Sequence, residues 1–231
     1  LTNNFLGLTL KMSQLKFAEH AAVQNPKYLV IFLHGYGSNG EDLLSLCNEF
    51  SNILPEAHFI SPNAVQPWEG GFPGCYQWFS LNSGFDSKGI EEMAPDIKKS
   101  SNILSNFIDE QLTRFSLTRD NLFLIGFSQG AMMSMHQGLT SKEKIAGIVA
   151  FSGKLVSPDL LGEELSSKPE ICLIHGEADP VVPFDYFLKA KDVLEEQNFS
   201  FEAHSIPNLE HSIDLQGIEY AQNFIKKIIT K

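Results

Sequence analysis

The stretch that decides the fold is residues 122–135, LFLIGFSQGAMMSM. A short apolar run at 122–125 is typical of a buried strand, and the helix formers at 131–135 predict a helix directly after it. Between them lies the pattern Gly-x-Ser-x-Gly, with Ser128 at its centre. A strand, a sharp turn and a helix in this order predict a nucleophile elbow, which holds the serine hydroxyl above a helix N-terminus. The pentapeptide alone would also fit an ordinary glycine-rich turn.

The rest of the chain repeats the alternation of strand and helix. Short apolar runs predict strands at 28–33, 58–60, 121–125, 145–151 and 171–175, with an alternating outer strand at 201–206. Amphipathic runs predict helices at 91–115, 187–194 and 218–228. Because most strand runs are apolar throughout, we expect both faces of the sheet to be covered. The predicted fold class is α/β, a single domain with a mostly parallel central sheet and helices on both faces.

Two segments stand apart from this alternation. Residues 1–11 precede Met12, and we expect a leader or a remnant of an expression vector there, with the domain at 12–231. They lack the apolar core and cleavage site of a convincing signal peptide. Segment 61–90 is rich in glycine and proline, and its aromatic residues predict an irregular insertion that packs on the domain. A homodimer is expected if this segment shields apolar surface.

Charge and composition narrow the functional classes. Seventeen basic and 28 acidic side chains give a net charge of −11, which argues against nucleic-acid binding because that needs a basic surface. No apolar run approaches the roughly eighteen residues of a membrane span, so no stable membrane insertion is expected. Three cysteines are too few and too odd for a disulfide framework, which makes a reducing cytoplasm the default location.

A serine nucleophile needs an imidazole to take its proton, and in this type of site the chain order is serine, acid, histidine. Only His175, His204 and His211 follow Ser128. His175 ends a predicted strand, which leaves little room for a preceding acid, and His204 lies inside the outer strand. His211 follows that strand in a loop that can reach the elbow. It is the predicted base, the alternative being a surface imidazole.

The acid should lie at the end of a strand between the serine and the histidine. Asp179 follows the strand at 171–175 and is well placed to accept from His211 and fix its tautomer. Glu177 and Asp185 are rivals, and Asp179 could also be only a turn or capping residue.

Negative charge on the substrate oxygen must be met by fixed donors. The backbone N–H of Gln129, directly after the serine, is one candidate. The other should come from the loop after the strand at 28–33, where His34-Gly35-Tyr36-Gly37 lets the main chain approach a substrate. The Tyr36 N–H is the predicted donor, with Gly35 as the rival and a plain tight turn as the alternative.

Together these motifs resemble the small serine carboxylesterases that group with acyl-protein thioesterases and lysophospholipases, an α/β-hydrolase family. The resemblance runs from about 28 to 229 and rests on FLHG with Gly37, SPNA at 61–64, QWF at 77–79, the elbow, HG with DPVVP at 175–183, and EHS at 210–212. It implies a triad of Ser128, Asp179 and His211, an oxyanion hole from Tyr36 and Gln129, and an acyl pocket lined by Val181. It also implies a cytosolic enzyme with no cofactor and no metal, whose partners are small-molecule esters or thioesters.

The chain departs from the family pattern at three places. Tyr36 stands where leucine is common, and its ring would narrow the pocket while its backbone donor survives. Ser80 stands where aspartate is frequent. Gly153-Lys154 replaces apolar residues, and a lysine at the pocket lip would suit a long acyl chain poorly. We therefore expect short to medium acyl chains, bound by apolar loop residues (Phe72, Trp78 and Val181) that could equally belong to the core.

The predicted function is hydrolysis of carboxylic esters through an acyl-enzyme. Alternatives within the fold are an acyl-protein thioesterase, a lysophospholipase, a peptidase or a lactone hydrolase. A binding protein of the same fold with an idle triad is the alternative from another class. A third hypothesis makes Cys75 the nucleophile, but it lacks the elbow context.

Overall fold

The computed structural model describes residues 15–21, 23–84, 87–156 and 165–230, so the expectation for residues 1–11 lies outside the described part. The main-sheet strands are β1 (Phe17–Ala21), β2 (Tyr28–Leu33), β3 (Ala57–Pro62), β6 (Leu122–Phe127), β7 (Gly147–Phe151), β8 (Glu170–Gly176) and β9 (Phe201–Ile206). They form one sheet in the order β1-β3-β2-β6-β7-β8-β9. β1 runs antiparallel to β3, and every other neighbouring pair is parallel.

Helices cover both faces of this sheet. They are α1 (Gly40–Leu44), α2 (Cys47–Ser51), α3 (Ser87–Phe115), α4 (Gln129–Thr140), α5 (Asp185–Glu196) and α6 (Leu215–Ile229), with a 3-10 turn at Arg119–Asn121. Along β2, Leu29 and Ile31 belong to the core layer that contains residues of α3, α4 and α5, whereas Val30 and Phe32 belong to the layer that contains residues of α1, α2 and α6. Successive strand residues point to opposite faces, so a run that is apolar throughout serves both layers. The predicted α/β architecture is confirmed.

The element boundaries differ from the predicted ones by a few residues. α3 begins at Ser87 instead of 91, and β7 begins at Gly147 instead of 145. β1 was not expected, because FAEHA has no strand pattern of its own. It forms by pairing with β3 and by packing Phe17 against Phe107 of α3, with ring centroids 5.4 Å apart. Among the described helices, none has both the length and the apolarity that crossing a bilayer requires.

Segment 61–90 is only partly irregular. A short hairpin pairs β4 (Gln66–Pro67) with β5 (Tyr76–Gln77), and the Trp68 N–H donates to the Cys75 carbonyl at 2.9 Å. Trp78 and Phe79 follow the hairpin and are fully buried in the core. The expected packing of aromatic residues from this segment is therefore present.

Candidate active site

Ser128 lies in the sharp turn between β6 and α4, as the sequence predicts. Its backbone has φ 54° and ψ −118°, a conformation that residues with side chains rarely adopt. The flanking glycines make the turn sterically feasible. A Cβ on Gly130 would lie 1.8 Å from the Leu33 carbonyl oxygen, and one on Gly126 would lie 2.3 Å from the Gly130 oxygen.

His211 bridges Ser128 and Asp179. Its Nδ1 lies 2.7 Å from Asp179 Oδ2, and its Nε2 lies 2.9 Å from Ser128 Oγ. Because a carboxylate can only accept hydrogen bonds, Nδ1 carries a proton and donates to Asp179. Nε2 is then the acceptor for the serine hydroxyl, which is the geometry that general-base catalysis needs. The structure thus brings together three residues that are distant in the chain.

Asp179 is held mainly by backbone groups. Its Oδ1 accepts from the N–H groups of Val181 and Val182, both at 2.8 Å, while Oδ2 faces His211. The carboxylate side chain is completely buried. His175 is also close, with Nε2 3.4 Å from Asp179 Oδ2 and 2.8 Å from the Val182 carbonyl oxygen. The carboxylate is therefore fixed by the loop that carries it.

The His211 loop approaches the sheet at a position where only glycine fits. A Cβ on Gly176, at the end of β8, would lie 2.2 Å from the carbonyl oxygen of Leu209. The imidazole of His211 packs on the ring of Phe127, the residue before Ser128, with ring centroids 4.8 Å apart. This packing orients the ring between its two partners.

The rival histidines have other roles. His175 is buried, and burial lowers the pKa of its imidazole below the usual 6.5, which favours the neutral ring. His204 stacks on Tyr220, with ring centroids 4.0 Å apart, and its Nε2 lies 3.3 Å from Glu202.

The rival acids are also engaged elsewhere. Glu177 accepts from the Ser205 hydroxyl at 2.8 Å, and Asp185 begins α5 as an exposed residue. Cys75, the third nucleophile hypothesis, lies in the β4–β5 hairpin and does not line the cavity at Ser128.

The two residues predicted to supply oxyanion donors belong to the same cavity. Tyr36 and Gln129 both line the cavity around Ser128. Within the described part of the chain, neither backbone N–H donates to a protein atom. The Gln129 side chain is anchored at both ends, since Oε1 accepts from the Trp78 N–H at 2.8 Å and Nε2 donates to the Phe79 carbonyl at 2.7 Å.

His34 fixes the start of the loop that carries Tyr36. Its Nε2 accepts from the Ala64 N–H at 2.9 Å and its Nδ1 donates to the Gly35 carbonyl at 2.8 Å. Burial lowers the pKa of His34 to about 4, so the ring is neutral at physiological pH, as an accepting Nε2 requires. The His34 carbonyl in turn accepts from Trp78 Nε1 at 3.0 Å.

The cavity at the elbow is small and mostly apolar. Its volume is about 250 Å³. Besides Ser128, His211, Gln129 and the Tyr36 loop, it is lined by Ser38, Asp42, Leu43, Leu81, Phe127, Met132, Val181 and Val182. Val181, which was predicted to bind substrate, is among the lining residues and is 58% exposed. Leu43 and Leu81 were not predicted here, because only long-range packing brings them to the cavity. Met132 could have been found, since it lies one helical turn after Ser128.

The structure does not bring the other two predicted substrate-binding residues to this cavity. Trp78 is 0% exposed, and its indole N–H donates to the His34 carbonyl at the start of the Tyr36 loop. Phe72 is 67% exposed and stacks on Trp68, with ring centroids 5.8 Å apart. Neither side chain lines the cavity.

Lys154 also departs from expectation. It is not at the lip of the cavity but 2% exposed, with its ammonium 4.2 Å from the centre of the Tyr186 ring. Burial and the neighbouring Lys189 charge lower the pKa of Lys154 to about 8. Lys154 therefore does not stand where it could exclude a long acyl chain, and the prediction that placed it at the pocket lip was wrong.

A larger groove of about 550 Å³ lies between α3 and α4. Most of its lining residues are polar, with Leu112 and Leu117 among them, and it shares no lining residue with the cavity at Ser128. Among the described residues, no group of three or more histidine, cysteine, aspartate or glutamate side chains is arranged to hold a metal ion.

Comparison with known proteins identifies the relatives of this chain. The family model described as Phospholipase/Carboxylesterase matches residues 18–229. Acyl-protein thioesterase 1 of Neurospora crassa is 30% identical over 223 residues, covering 91% of this chain and 90% of that protein. Esterase YpfH of Escherichia coli is 27% identical over 220 residues, covering 92% of this chain and 90% of its own length.

Solved structures agree with these relatives. The crystal structure of esterase PE8 superposes with a TM-score of 0.86 at 32% identity, covering 93% of this chain and 99% of that one.

Proposed function

The chain belongs to the phospholipase/carboxylesterase family of α/β-hydrolases, and on that premise we propose that Ser128, His211 and Asp179 are the catalytic triad with which it hydrolyses esters of short to medium acyl chains. It is a serine ester hydrolase by family. The observation that carries the assignment of residues is the pair of hydrogen bonds from His211, one to each partner.

Acylation begins when the Ser128 hydroxyl attacks the carbonyl carbon of the ester. His211 Nε2 takes the hydroxyl proton, and Asp179 stabilises the imidazolium that forms. The negative charge on the carbonyl oxygen is met by the Tyr36 and Gln129 N–H groups, which donate to no protein atom in the described part of the chain. His211 then gives its proton to the leaving alcohol, and the acyl group remains on Ser128.

Deacylation repeats these steps with water. His211 takes a proton from the water that attacks the acyl-enzyme, and returns it to Ser128 Oγ as the acid leaves. No cofactor takes part in either step.

The size of the cavity supports the proposed acyl length. At about 30 Å³ for a group the size of water or a methylene, 250 Å³ holds about eight such groups. Leu43, Met132 and Val182 provide apolar walls, and the exposed Val181 marks the open end.

The decisive experiment uses a fluorophosphonate probe, which labels activated serines, and p-nitrophenyl esters from C2 to C16. We expect Ser128→Ala to abolish labelling and to lower kcat by a factor of about 10⁴ or more. Ser116→Ala is the matched control, because Ser116 shares the positive φ (58°) but lies outside the cavity. Labelling that persists in Ser128→Ala would refute the assignment. An intact but unlabelled wild type would favour the idle binding protein.

A thioesterase is the second candidate, and the names of the relatives favour it, since several are acyl-protein thioesterases. The same mechanism cleaves a thioester, with a thiolate as leaving group. Parallel assays on an S-acyl peptide, an acyl-CoA and the matched oxygen ester distinguish the two. A kcat/KM at least tenfold higher on the S-acyl peptide would replace our ester assignment.

We also propose a reducing cytoplasm as the location, which the three free cysteines support. A homodimer that covers Phe72 remains part of the proposal, because this side chain is largely exposed. Light scattering of the purified chain and of Phe72→Asp tests it. A monomeric wild type would remove the dimer from the proposal.

A further inference from the structure

The carboxylate of Glu69 accepts hydrogen bonds from five donors, and two of the donor residues, Tyr36 and Leu81, line the cavity at Ser128. Its Oε1 accepts from the Tyr36 hydroxyl and from the Leu81 N–H at 3.4 Å. Its Oε2 accepts from Ser80 Oγ at 2.8 Å, Asn82 Nδ2 at 3.1 Å and Gln77 Nε2 at 3.4 Å. A carboxylate is the side chain with enough acceptor capacity for such a cluster. Glu69 therefore joins three segments of the chain.

One of these segments is the loop with the proposed oxyanion donor. Tyr36 contributes its backbone N–H to the cavity wall and its phenol to Glu69. Its ring meets Trp68 edge to face, with centroids 5.9 Å apart. The next residue, Gly37, has φ 76° and donates its N–H to the Tyr76 carbonyl at 2.9 Å. The hairpin thus fixes the backbone directly after Tyr36 through the Gly37 N–H, and Glu69 fixes the Tyr36 side chain through its hydroxyl.

We propose that Glu69 is a positioning residue for catalysis, because its hold on the Tyr36 phenol sets the direction of the Tyr36 backbone N–H toward the oxyanion. This proposal rests on the oxyanion role assigned to Tyr36 above. A hydrogen bond weakens steeply when its donor turns away from the acceptor. Complete loss of one oxyanion donor costs about 10²- to 10³-fold in kcat, so a misdirected donor should cost roughly tenfold.

The protonation states of the two partners fit this arrangement. Burial, with the hydrogen bond to Glu69, raises the pKa of Tyr36 to about 12, so the phenol keeps the proton that it donates. Burial alone would raise the pKa of Glu69, but hydrogen bonds from Tyr36, Ser80 and Gln77 outweigh it and hold the pKa below 4.5. Glu69 is therefore a carboxylate, able to accept all five bonds, throughout the neutral range.

The test compares Tyr36→Phe, Glu69→Ala and the double variant on one p-nitrophenyl ester. Tyr36→Phe removes only the hydroxyl and keeps the ring and the backbone donor. We expect each single variant to lower kcat about tenfold and to change KM by less than about twofold, because the oxyanion exists only in the transition state. The rate constant for fluorophosphonate labelling should fall by a similar factor. The double variant should be no worse than Glu69→Ala, because both changes break one interaction.

Glu202→Gln is the matched control. Glu202 is also a partly exposed carboxylate with hydrogen bonds, from Lys227 and His204, but it does not line the cavity. This variant should retain the wild-type kcat and labelling rate.

Three results would overturn the proposal. The first is an unchanged kcat in Tyr36→Phe, and the second is a rise in KM alone, which would mean that the cluster shapes the pocket. The third is a loss of kcat explained by a smaller titratable active fraction, which would mean that the cluster only maintains the fold. These outcomes are read against an active wild type and an inactive Ser128→Ala, so they are separate from failure of the triad assignment.

Discussion

Two carboxylates lie on two sides of the candidate active site, and their environments are opposite. Asp179 is completely buried and takes two of its three close hydrogen bonds from backbone N–H groups of its own loop. Glu69 is exposed, and four of its five donors are side chains, which come from the Tyr36 loop and from residues 77–82.

The comparison shows that the geometry of one carboxylate is fixed by the backbone of its loop, whereas the geometry of the other depends on contacts between side chains. A buried carboxylate with backbone partners keeps its geometry as long as the loop is folded, and a change there removes function outright. A surface carboxylate competes with water for every partner, so its loss should reduce the rate without abolishing it. The predictions below test this contrast, from the largest expected effect to the smallest.

The largest effect is expected for Asp179→Asn. The asparagine oxygen can still accept from Val181 and Val182, but its amide group would then donate toward His211 and force the wrong tautomer. We expect kcat to fall about 10⁴-fold with little change in Tm. Steady-state kinetics with Glu177→Gln as the control checks this. If the Glu177 variant were the inactive one, the acid assignment would be wrong.

A smaller effect, on stability, is expected for Trp78→Phe. This change removes the hydrogen bond to the His34 carbonyl in a fully buried site and leaves a gap. We expect a loss of about 2–4 kcal/mol in the free energy of unfolding, measured with urea. Trp68→Phe, at a half-buried position, should cost less than about 1 kcal/mol. Equal losses of unfolding free energy in the two variants would contradict the greater importance of the buried Trp78 for stability.

The pH dependence of stability should also differ between the Asp179 side of the site, where His175 lies, and the Glu69 side. The folded pKa of His175 lies below 6.5, so the unfolded chain binds more protons below that pH. The free energy of unfolding should therefore fall as the pH falls from 6.5, by at most about 1.4 kcal/mol per pH unit for this group. His34, with a pKa of about 4, adds to the same trend.

Urea titrations between pH 7.5 and 4.5 test this prediction by giving the free energy of unfolding at each pH. In His175→Gln, that free energy should change less with pH than in the wild type. Glu69 acts differently, since its pKa is lowered below 4.5 and its contribution is lost only as the pH falls through that lowered value. Glu69→Gln should therefore leave the slope from pH 6.5 to 4.5 unchanged. Two results would contradict the attribution of this pH dependence to His175: a changed pH dependence in Glu69→Gln, or an unchanged one in His175→Gln.

The smallest effect is a change in KM that should occur on truncation of Val181 but not on truncation of Phe72. Val181→Ala trims the rim of the cavity and should raise KM about two- to fivefold for octanoate esters but not for acetate esters. Phe72→Ala, outside the cavity, should leave both KM values within about twofold. A selective effect of Phe72→Ala on octanoate esters would mean that the acyl chain extends over the hairpin.

Much of this site could be predicted from the sequence, because its signals are local. The strand, turn and helix at 122–135 are encoded by adjacent residues, and the strained φ of Ser128 demands small neighbours at 126 and 130. The order of Ser128, Asp179 and His211 in loops after strands was sufficient to predict their convergence, since parallel strands present their carboxyl ends at one edge.

Other assignments depended on packing that no local pattern contains. Trp78 and Phe72 come from one aromatic segment, yet one is fully buried and the other mostly exposed. Lys154 follows a strand where a pocket lip was expected, and instead lies buried beside Tyr186. Glu69 meets Tyr36 from 33 positions further along the chain, and the sequence contained no sign of this contact.

The amino-acid sequence by itself determined the α/β fold and the three residues proposed as the triad, because backbone sterics and hydrophobic periodicity act over a few residues. Only the tertiary structure decided which side chains line the cavity and how the loop that carries Tyr36 is held. Those outcomes depend on the directions in which distant side chains point, and these directions are set when the sheet, helices and hairpin pack together.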